Sequence, residues 1–318
     1  MARDRRTRIL ELVAEAYIET THPVPSSAVA DRLGLSGATV RNEFAALEEE
    51  GLLQQPHTSA GRLPTARGFR RYADAQLPPR PLPDDARRRL VGRLEGLHGS
   101  ELLRALAALA AELSGYAVVL ELPADGALRT LEVHLTPLSS RTLLAVAVFE
   151  NGLTRELQIP LDPTPDGEVL DDAERLLRAS ARPLREMPET LREQARRAGE
   201  ELGRTLDALA DAWPSLHPAE LVSHGLSLLL DEPESRDPAF LRRAAARLER
   251  GTRPWAPAPS RPLALDIDED VALIGAELAW RQSRGRLTLV GPARMRYRDA
   301  FTVAGGLCRT VAGAGGAA

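Results

Sequence analysis

Two adjacent side chains, Arg41 and Asn42, carry the donors and acceptors that read base edges. Asn pairs bidentately with adenine, and Arg with O6 and N7 of guanine. Asn occurs only at positions 42 and 151, so Asn42 is informative. Ser36, Ala38 and Thr39 precede the pair; such small and hydroxyl side chains let a helix end approach a groove closely. Further on, His57, Thr58, Ser59 and Arg62 gather groups suited to phosphate oxygens or the adjacent minor groove. Arg67, Arg70 and Arg71 follow, and residues 51–73 contain no acid. Such a run can touch a polyanion even on a neutral domain. The plainer reading is a solvated surface depleted of acids by chance.

Other chemistry is thin. The six His residues, at 22, 57, 98, 134, 217 and 224, form no HExxH or other metal spacing, and there is no P-loop or dinucleotide fingerprint. The single Cys, Cys308, excludes a disulfide framework or a Cys-based metal site and reads as inert. Asp266, Asp268, Glu269 and Asp270 would suit a cation, but at a strand–strand turn a solvated loop is the simpler reading. Arg294, Arg296 and Arg298 would suit an anion, though surface or structural roles are simpler. The expectation is a protein that is not an enzyme and needs no cofactor or metal.

Base reading requires a helix start beside a hairpin, and the flanking pattern supplies both. Ile9, Leu10, Val13, Ala16 and Tyr17 share one face of a helix over 4–20, ended by His22-Pro23. Ser26 or Ser27 caps a second helix over 28–33, and Gly34 terminates it. Ser36 caps a third helix over 37–50, which Gly51 stops. The short Gly-containing turn between these two has helix-turn-helix spacing. Val40, Phe44 and Leu47 form the apolar stripe of the third helix. At about 100° per residue, Ala38, Asn42 and Ala45 or Ala46 then point outward, flanked by Thr39 and Arg41. A recognition helix enters the major groove by its N-terminal end. A strand at 52–55, a turn at 56–62 and Leu63-Pro64 make a hairpin, or wing. Thr65 caps a further helix over 66–75, whose Phe69 and Tyr72 read as core contacts. An exposed helix with Asn and Arg is common in itself; the hairpin tips the reading toward DNA.

The chain has 318 residues, a net charge of −4 and 41 cationic positions, all Arg. At roughly 100–200 residues per domain, two or three domains are expected. With 43% hydrophobic and 27% charged residues the chain is globular rather than disordered. Aromatics at 4% leave the core to Leu, Val and Ala. The N-terminus has no apolar leader, and the longest apolar stretch, 102–122, is broken by Arg104, Glu112 and Glu121. No membrane span is expected, and a cytoplasmic location is. Pro-rich segments at 76–85, 161–167 and 252–262 read as connectors, and 312–318, all Gly and Ala, as a frayed tail. Net charge is zero over 1–77, −1 over 78–159, −9 over 160–235 and +6 over 236–318.

A helix is expected over 90–113 and strands at 116–122, 128–135, 142–149 and 153–159, the last two joined by the hairpin dipeptide Asn151-Gly152. More strands follow at 263–267, 271–274 and 286–290. Strands on both sides of a helical block suggest one α+β domain split by an insertion. The division is then 1–77, a second domain from 78–159 with 236–318, and an insert over 160–235. Within the insert Leu191, Ala195, Ala198, Leu202, Leu206 and Leu209 recur at helical spacing. Such a seam packs another helix, and periodicity alone favours an intrachain core stripe.

SGATVRN at 36–42, LEEEGLL at 47–53 and QPHTSAGRLPTARGFRRYAD at 55–74 together resemble the HrcA family, the heat-inducible transcription repressors of bacteria. LTPLSSRTLLAVAVFENGLTRE at 135–156, HGLSLLLDEPESRD at 224–237 and LTLVGPARMRY at 287–297 extend the likeness in order across residues 5–300. The resemblance implies an α+β multidomain protein. Its N-terminal winged helix-turn-helix would precede a GAF-like domain interrupted by a mainly helical dimerising insert, with the 191–209 seam at a homodimer interface. It implies repression of chaperone operons such as groESL and dnaK through the inverted-repeat operator CIRCE. Two recognition helices about a two-fold axis suit such a repeat. It also implies that the GroEL chaperonin maintains the active repressor. The residues expected on DNA are Ser36, Ala38, Thr39, Arg41, Asn42, His57, Thr58, Ser59, Arg62, Arg67 and Arg70. Two other readings remain: a metabolite-responsive regulator with a ligand in the GAF-like domain, and a winged helix that binds protein.

Overall fold

Helical stripes and two tight glycine contacts build the N-terminal unit. The computed structural model describes residues 2–57, 60–97, 99–123, 126–180, 182–216, 219–250, 263–280 and 283–315. The unit runs α1 (Ala2–Thr20), α2 (Ser26–Leu33), α3 (Gly37–Glu49), β1 (Leu53–Gln54), β2 (Leu63–Pro64) and α4 (Ala66–Asp74). Ile9, Leu10, Val13, Val29, Val40, Phe44, Leu47 and Leu53 close into one small core. Pro25, not a serine, stands at the N-cap of α2, where no side chain caps the helix. β1 and β2 pair antiparallel, and Val24 bridges Arg62 through two backbone hydrogen bonds of 2.8 and 2.9 Å. Only glycine fits at 61, because a Cβ there would stand 2.3 Å from the Val24 carbonyl. At Gly68, on α4, a Cβ would stand 2.0 Å from the Leu52 oxygen.

The rest of the chain holds two separate sheets. In order come α5 (Asp84–Leu94), α6 (Gly99–Ser114), β3 (Ala117–Leu122), β4 (Thr130–Ser139), β5 (Thr142–Phe149) and β6 (Thr154–Pro160). Then follow α7 (Gly167–Ser180), α8 (Met187–Ala195), α9 (Glu200–Ala212), β7 (Glu220–His224), α10 (Leu226–Leu230) and α11 (Pro238–Arg250). The chain ends in β8 (Leu263–Asp268), β9 (Val271–Trp280), β10 (Ser283–Pro292) and α12 (Tyr297–Gly315). The larger sheet has the order β7-β3-β10-β9-β8, with every neighbour antiparallel. Val118 and Leu120 of β3 join the main core with α6 and α12 residues, while Ala117 and Val119 pack with Leu229, Phe240 and Ala244 on the other face. A strand covered on both faces reads as the continuous apolar run seen at 117–120. The smaller sheet is a β4-β5-β6 meander. Its inner face (Val133, Leu143, Ala145, Phe149) packs with Leu170 and Leu177 of α7 and with Leu206 and Leu209 of α9. Pro137 lies on edge strand β4 next to a register shift, where its missing N–H is tolerated.

This topology corrects the division read from the sequence. The chain leaves the five-stranded sheet after Leu122 and returns at Glu220, so the inserted unit covers 126–216 and takes in β4, β5 and β6. Alternation and a hairpin dipeptide show that a strand pairs with its sequence neighbour, not which sheet it joins. Strand β7 was not expected; its residues fall within the insert expected to be mainly helical. The helix expected over 90–113 is two helices, parted where Gly96 and Gly99 take positive φ. The tail expected to fray from 312 is helical to Gly315.

Candidate nucleic-acid interface

α3 presents the expected pair at its first two turns. Ser36 is its N-cap; its Oγ accepts the Thr39 N–H at 3.1 Å and lies 2.8 Å from Thr39 Oγ1. Ser36 and Thr39 are therefore both engaged at the cap, where the residue pattern predicts only Ser36. The remaining amide groups of the first turn stay open at the positive end of the helix dipole, which favours an anion. Ala38, Arg41 and Asn42 are exposed, whereas Val40, Phe44 and Leu47 are buried. The Arg41 guanidinium lies back along the helix start, with Nη1 3.5 Å from where a Gly37 Cβ would be. Neither Arg41 nor Asn42 has a hydrogen-bond or ion-pair partner among the described residues.

Glu43 fixes this helix and escaped notice in the sequence. It sits on the buried face, 7% exposed, and takes Arg5 at 2.8 Å and Arg6 at 2.9 Å from α1. The Arg6 hydrogen bond, joined by Arg5, holds its carboxyl below the usual range against the opposing effect of burial. A readable signal existed, since a carboxylate three residues after Val40 on the apolar stripe must have a partner.

The hairpin places its residues less uniformly. His57 is exposed in a turn closed by Ala60 N–H donating to its carbonyl at 2.8 Å, and Gln55 Nε2 donates to the Ala60 carbonyl at 3.1 Å. Thr58 and Ser59 lie outside the described residues. Arg62 does not project outward: its buried Nε lies 2.8 Å from Glu48 Oε1, bracing the hairpin against α3. In the free chain Arg62, expected at the groove, is thus a strut, because Glu48 of α3 lies within reach.

Arg67 and Arg70 also stand elsewhere than expected. α3 is about 20 Å long at 1.5 Å per residue, and Arg67 Nη1 lies near Gly51, past its far end. Arg70 donates to the Leu265 carbonyl at 2.9 Å and faces Asp266 at 3.4 Å, both on β8. It ties the N-terminal unit to the sheet. Aromatic contacts reinforce that junction. The tilted rings of Tyr17 and Phe69 lie 6.1 Å apart, and Tyr297 of α12 lies 6.4 Å from Phe69 and 6.2 Å from Tyr72. Burial pushes the Tyr72 phenol up to about 12. Arg298 Nε donates to Gln76 Oε1 at 3.0 Å beside them.

Other candidates resolve into structure. Arg294 is nearly enclosed and grips Glu232 at 2.5 Å and Glu234 at 2.7 Å. The acidic turn is matched by arginines: Asp270 takes Arg243 at 2.7 Å, Asp268 takes Arg247 at 3.1 Å, and Asp266 faces Arg70. Among the described residues no group of three or more His, Cys, Asp or Glu could hold a metal, and no helix is long and apolar enough to cross a membrane. The seam is the clearest correction. Leu191, Leu206 and Leu209 are fully buried, Ala195 nearly so, and Ala198 and Leu202 pack against the same core. The helix breaks at 196–199, so α8 and α9 fold back on each other. Gly203 passes so close that a Cβ would stand 3.0 Å from the Ala195 oxygen. Side chains used up inside one protomer are not available to a second.

Comparison with known proteins agrees with this architecture. A family model described as the HrcA protein C terminal domain matches residues 100–300. The heat-inducible transcription repressor HrcA of Moorella thermoacetica is 32% identical over 94% of each chain. That of Symbiobacterium thermophilum is 30% identical over 95% of this chain and 96% of its own. The one from Bifidobacterium longum is 35% identical over 68% of this chain and 60% of its own length. A crystal structure of a hypothetical protein at 2.2 Å resolution has the same fold, with a TM-score of 0.65 at 22% identity over 98% of both chains. The matches place the chain among transcription regulators, and among repressors in particular. It belongs to the HrcA family of heat-inducible transcription repressors.

Proposed function

We propose that residues 1–77 form a winged helix-turn-helix that reads DNA through the N-terminal end of α3, with Asn42 and Arg41 on base edges and His57 at the wing. The observation that carries this is the outward, unpartnered Arg41–Asn42 pair at a capped helix start. The five-stranded sheet with its helices is the GAF-like domain, and residues 126–216 are its insert. The chain acts in the cytoplasm as a homodimer on the inverted repeat CIRCE, repressing chaperone operons such as groESL and dnaK. It is not an enzyme. The GroEL chaperonin maintains the active form, and heat withdraws it. The dimer contact lies elsewhere than the 191–209 seam, whose Leu191, Ala195, Leu206 and Leu209 are buried within the protomer.

A mobility shift on an inverted-repeat duplex tests the reading, with a scrambled duplex as control. Asn42→Ala and Arg41→Ala should each weaken the specific complex by about 1–3 kcal/mol and leave scrambled binding nearly unchanged. Unchanged discrimination in both variants would remove α3 from the base-reading role.

A further inference from the structure

We propose that the cleft between α1, the C-terminal end of α3 and α4 binds a free phosphate-bearing small molecule of nucleotide size. The cleft measures about 700 Å³, inside the roughly 300–1,000 Å³ span of small-molecule sites. Four arginines line it, Arg6, Arg67, Arg70 and Arg71, against two acids, Glu50 and Asp74. Arg6 is already held by Glu43 and Glu50, and Arg70 by β8. Arg67 and Arg71 have no hydrogen-bond or ion-pair partner among the described residues. They stand one turn apart on α4, so their guanidinium groups serve one face. Paired planar forks match phosphoryl oxygens, and two of them call for a ligand with more than one anionic group, hence a di- or triphosphate rather than a lone carboxylate. Half-buried Leu52 supplies an apolar edge for the rest of the ligand, with Leu10 and Leu47 buried behind it. DNA is the less suitable occupant. The cleft lies past the C-terminal end of α3, about 20 Å from its base-reading start.

Titration calorimetry of the full chain with pyrophosphate tests this. One saturable site per chain is expected. Arg67→Ala and Arg71→Ala should each weaken it about tenfold or more, the scale of a lost charge-assisted bond, while Asn42→Ala leaves it unchanged. Both substitutions are at exposed positions, and circular dichroism will show whether the variants stay folded. No saturable pyrophosphate binding, or equal binding in the folded double variant, would overturn the proposal. So would a second result: a duplex that displaces pyrophosphate and binds the double variant more weakly whatever its sequence. That result would give these arginines to the DNA backbone.

Discussion

Adding one methyl group at Gly68 and the same methyl group at Gly92 should have opposite effects. Both glycines are helical. At Gly92, exposed on α5, an added Cβ meets nothing within 4 Å, so Gly92→Ala should gain about 0.5–1 kcal/mol from lower unfolded-state entropy. At Gly68 the Cβ would stand 2.0 Å from the Leu52 oxygen, where contacts under 3.0 Å essentially never occur. Backbone must therefore move by the difference between these, 1.0 Å. That oxygen accepts the Thr65 N–H at 3.1 Å, and Thr65 caps α4 through Gly68 N–H at 3.0 Å. The shift thus strains the cap as well as the packing. Overpacking costs about 1–3 kcal/mol and a lost cap about 1, while helix propensity returns about 1, for a net loss of about 1–3 kcal/mol. Denaturant unfolding followed by circular dichroism, with both variants beside wild type, measures the contrast. If Gly68→Ala unfolds no earlier than Gly92→Ala, the close approach of α4 to Leu52 is wrong.

Three further outcomes are expected. Glu43 has a lowered carboxyl pKa from its Arg6 and Arg5 bonds, so its contribution is present above the ordinary carboxylate range and is lost as pH falls through the lowered folded value. Acid unfolding of Glu43→Gln should lack that component and begin from a lower neutral-pH stability. Leu206→Ala, in a fully buried site, should cost about 2–5 kcal/mol yet leave the sedimentation-derived oligomeric state unchanged; a shift to monomer with intact stability would restore the seam as an interface. Cys308, buried with its thiol pushed up to about 12, should resist a thiol reagent in the native chain and react on unfolding.

Local signals carried much of the N-terminal unit. Ser36 and Thr65 cap as their types and positions predict, and the 3.6-residue stripe put Val40, Phe44 and Leu47 inside and Asn42 outside. What was lost lay in pairings distant in sequence. Arg70 meets a carbonyl 195 residues away, and nothing around position 70 announces that. Arg62 and Glu48 are close in sequence, but only the fold of the hairpin back onto α3 brings them together. The 191–209 periodicity was real, yet a break after Ala195 turned one seam into two helices facing each other. α12 gave no clear sequence signal because of its glycines: a Cβ at Gly306 would stand 2.8 Å from Leu82 of the connector, so the small residue there serves close packing at a cost in helix propensity.

The junction between the N-terminal unit and α12 gives the molecule an optical reporter of its own. All four tyrosines gather there: Tyr17, Tyr72 and Tyr297 in ring contact and Tyr116 with its hydroxyl accepting the Arg296 N–H at 2.8 Å. Trp213, by contrast, is buried in the inserted unit. Trp280 ends β9 of the larger sheet and Trp255 lies outside the described residues, so with both replaced by Phe the tryptophan signal belongs to the insert and the tyrosine signal to the junction. If the N-terminal unit swings away from α12 while the insert stays folded, tyrosinate absorbance on alkaline titration should move from near 12 for Tyr72 toward the ordinary value near 10, with Trp213 emission unmoved in the Trp255→Phe, Trp280→Phe chain. Docking and folding can be followed separately, in one unlabelled sample.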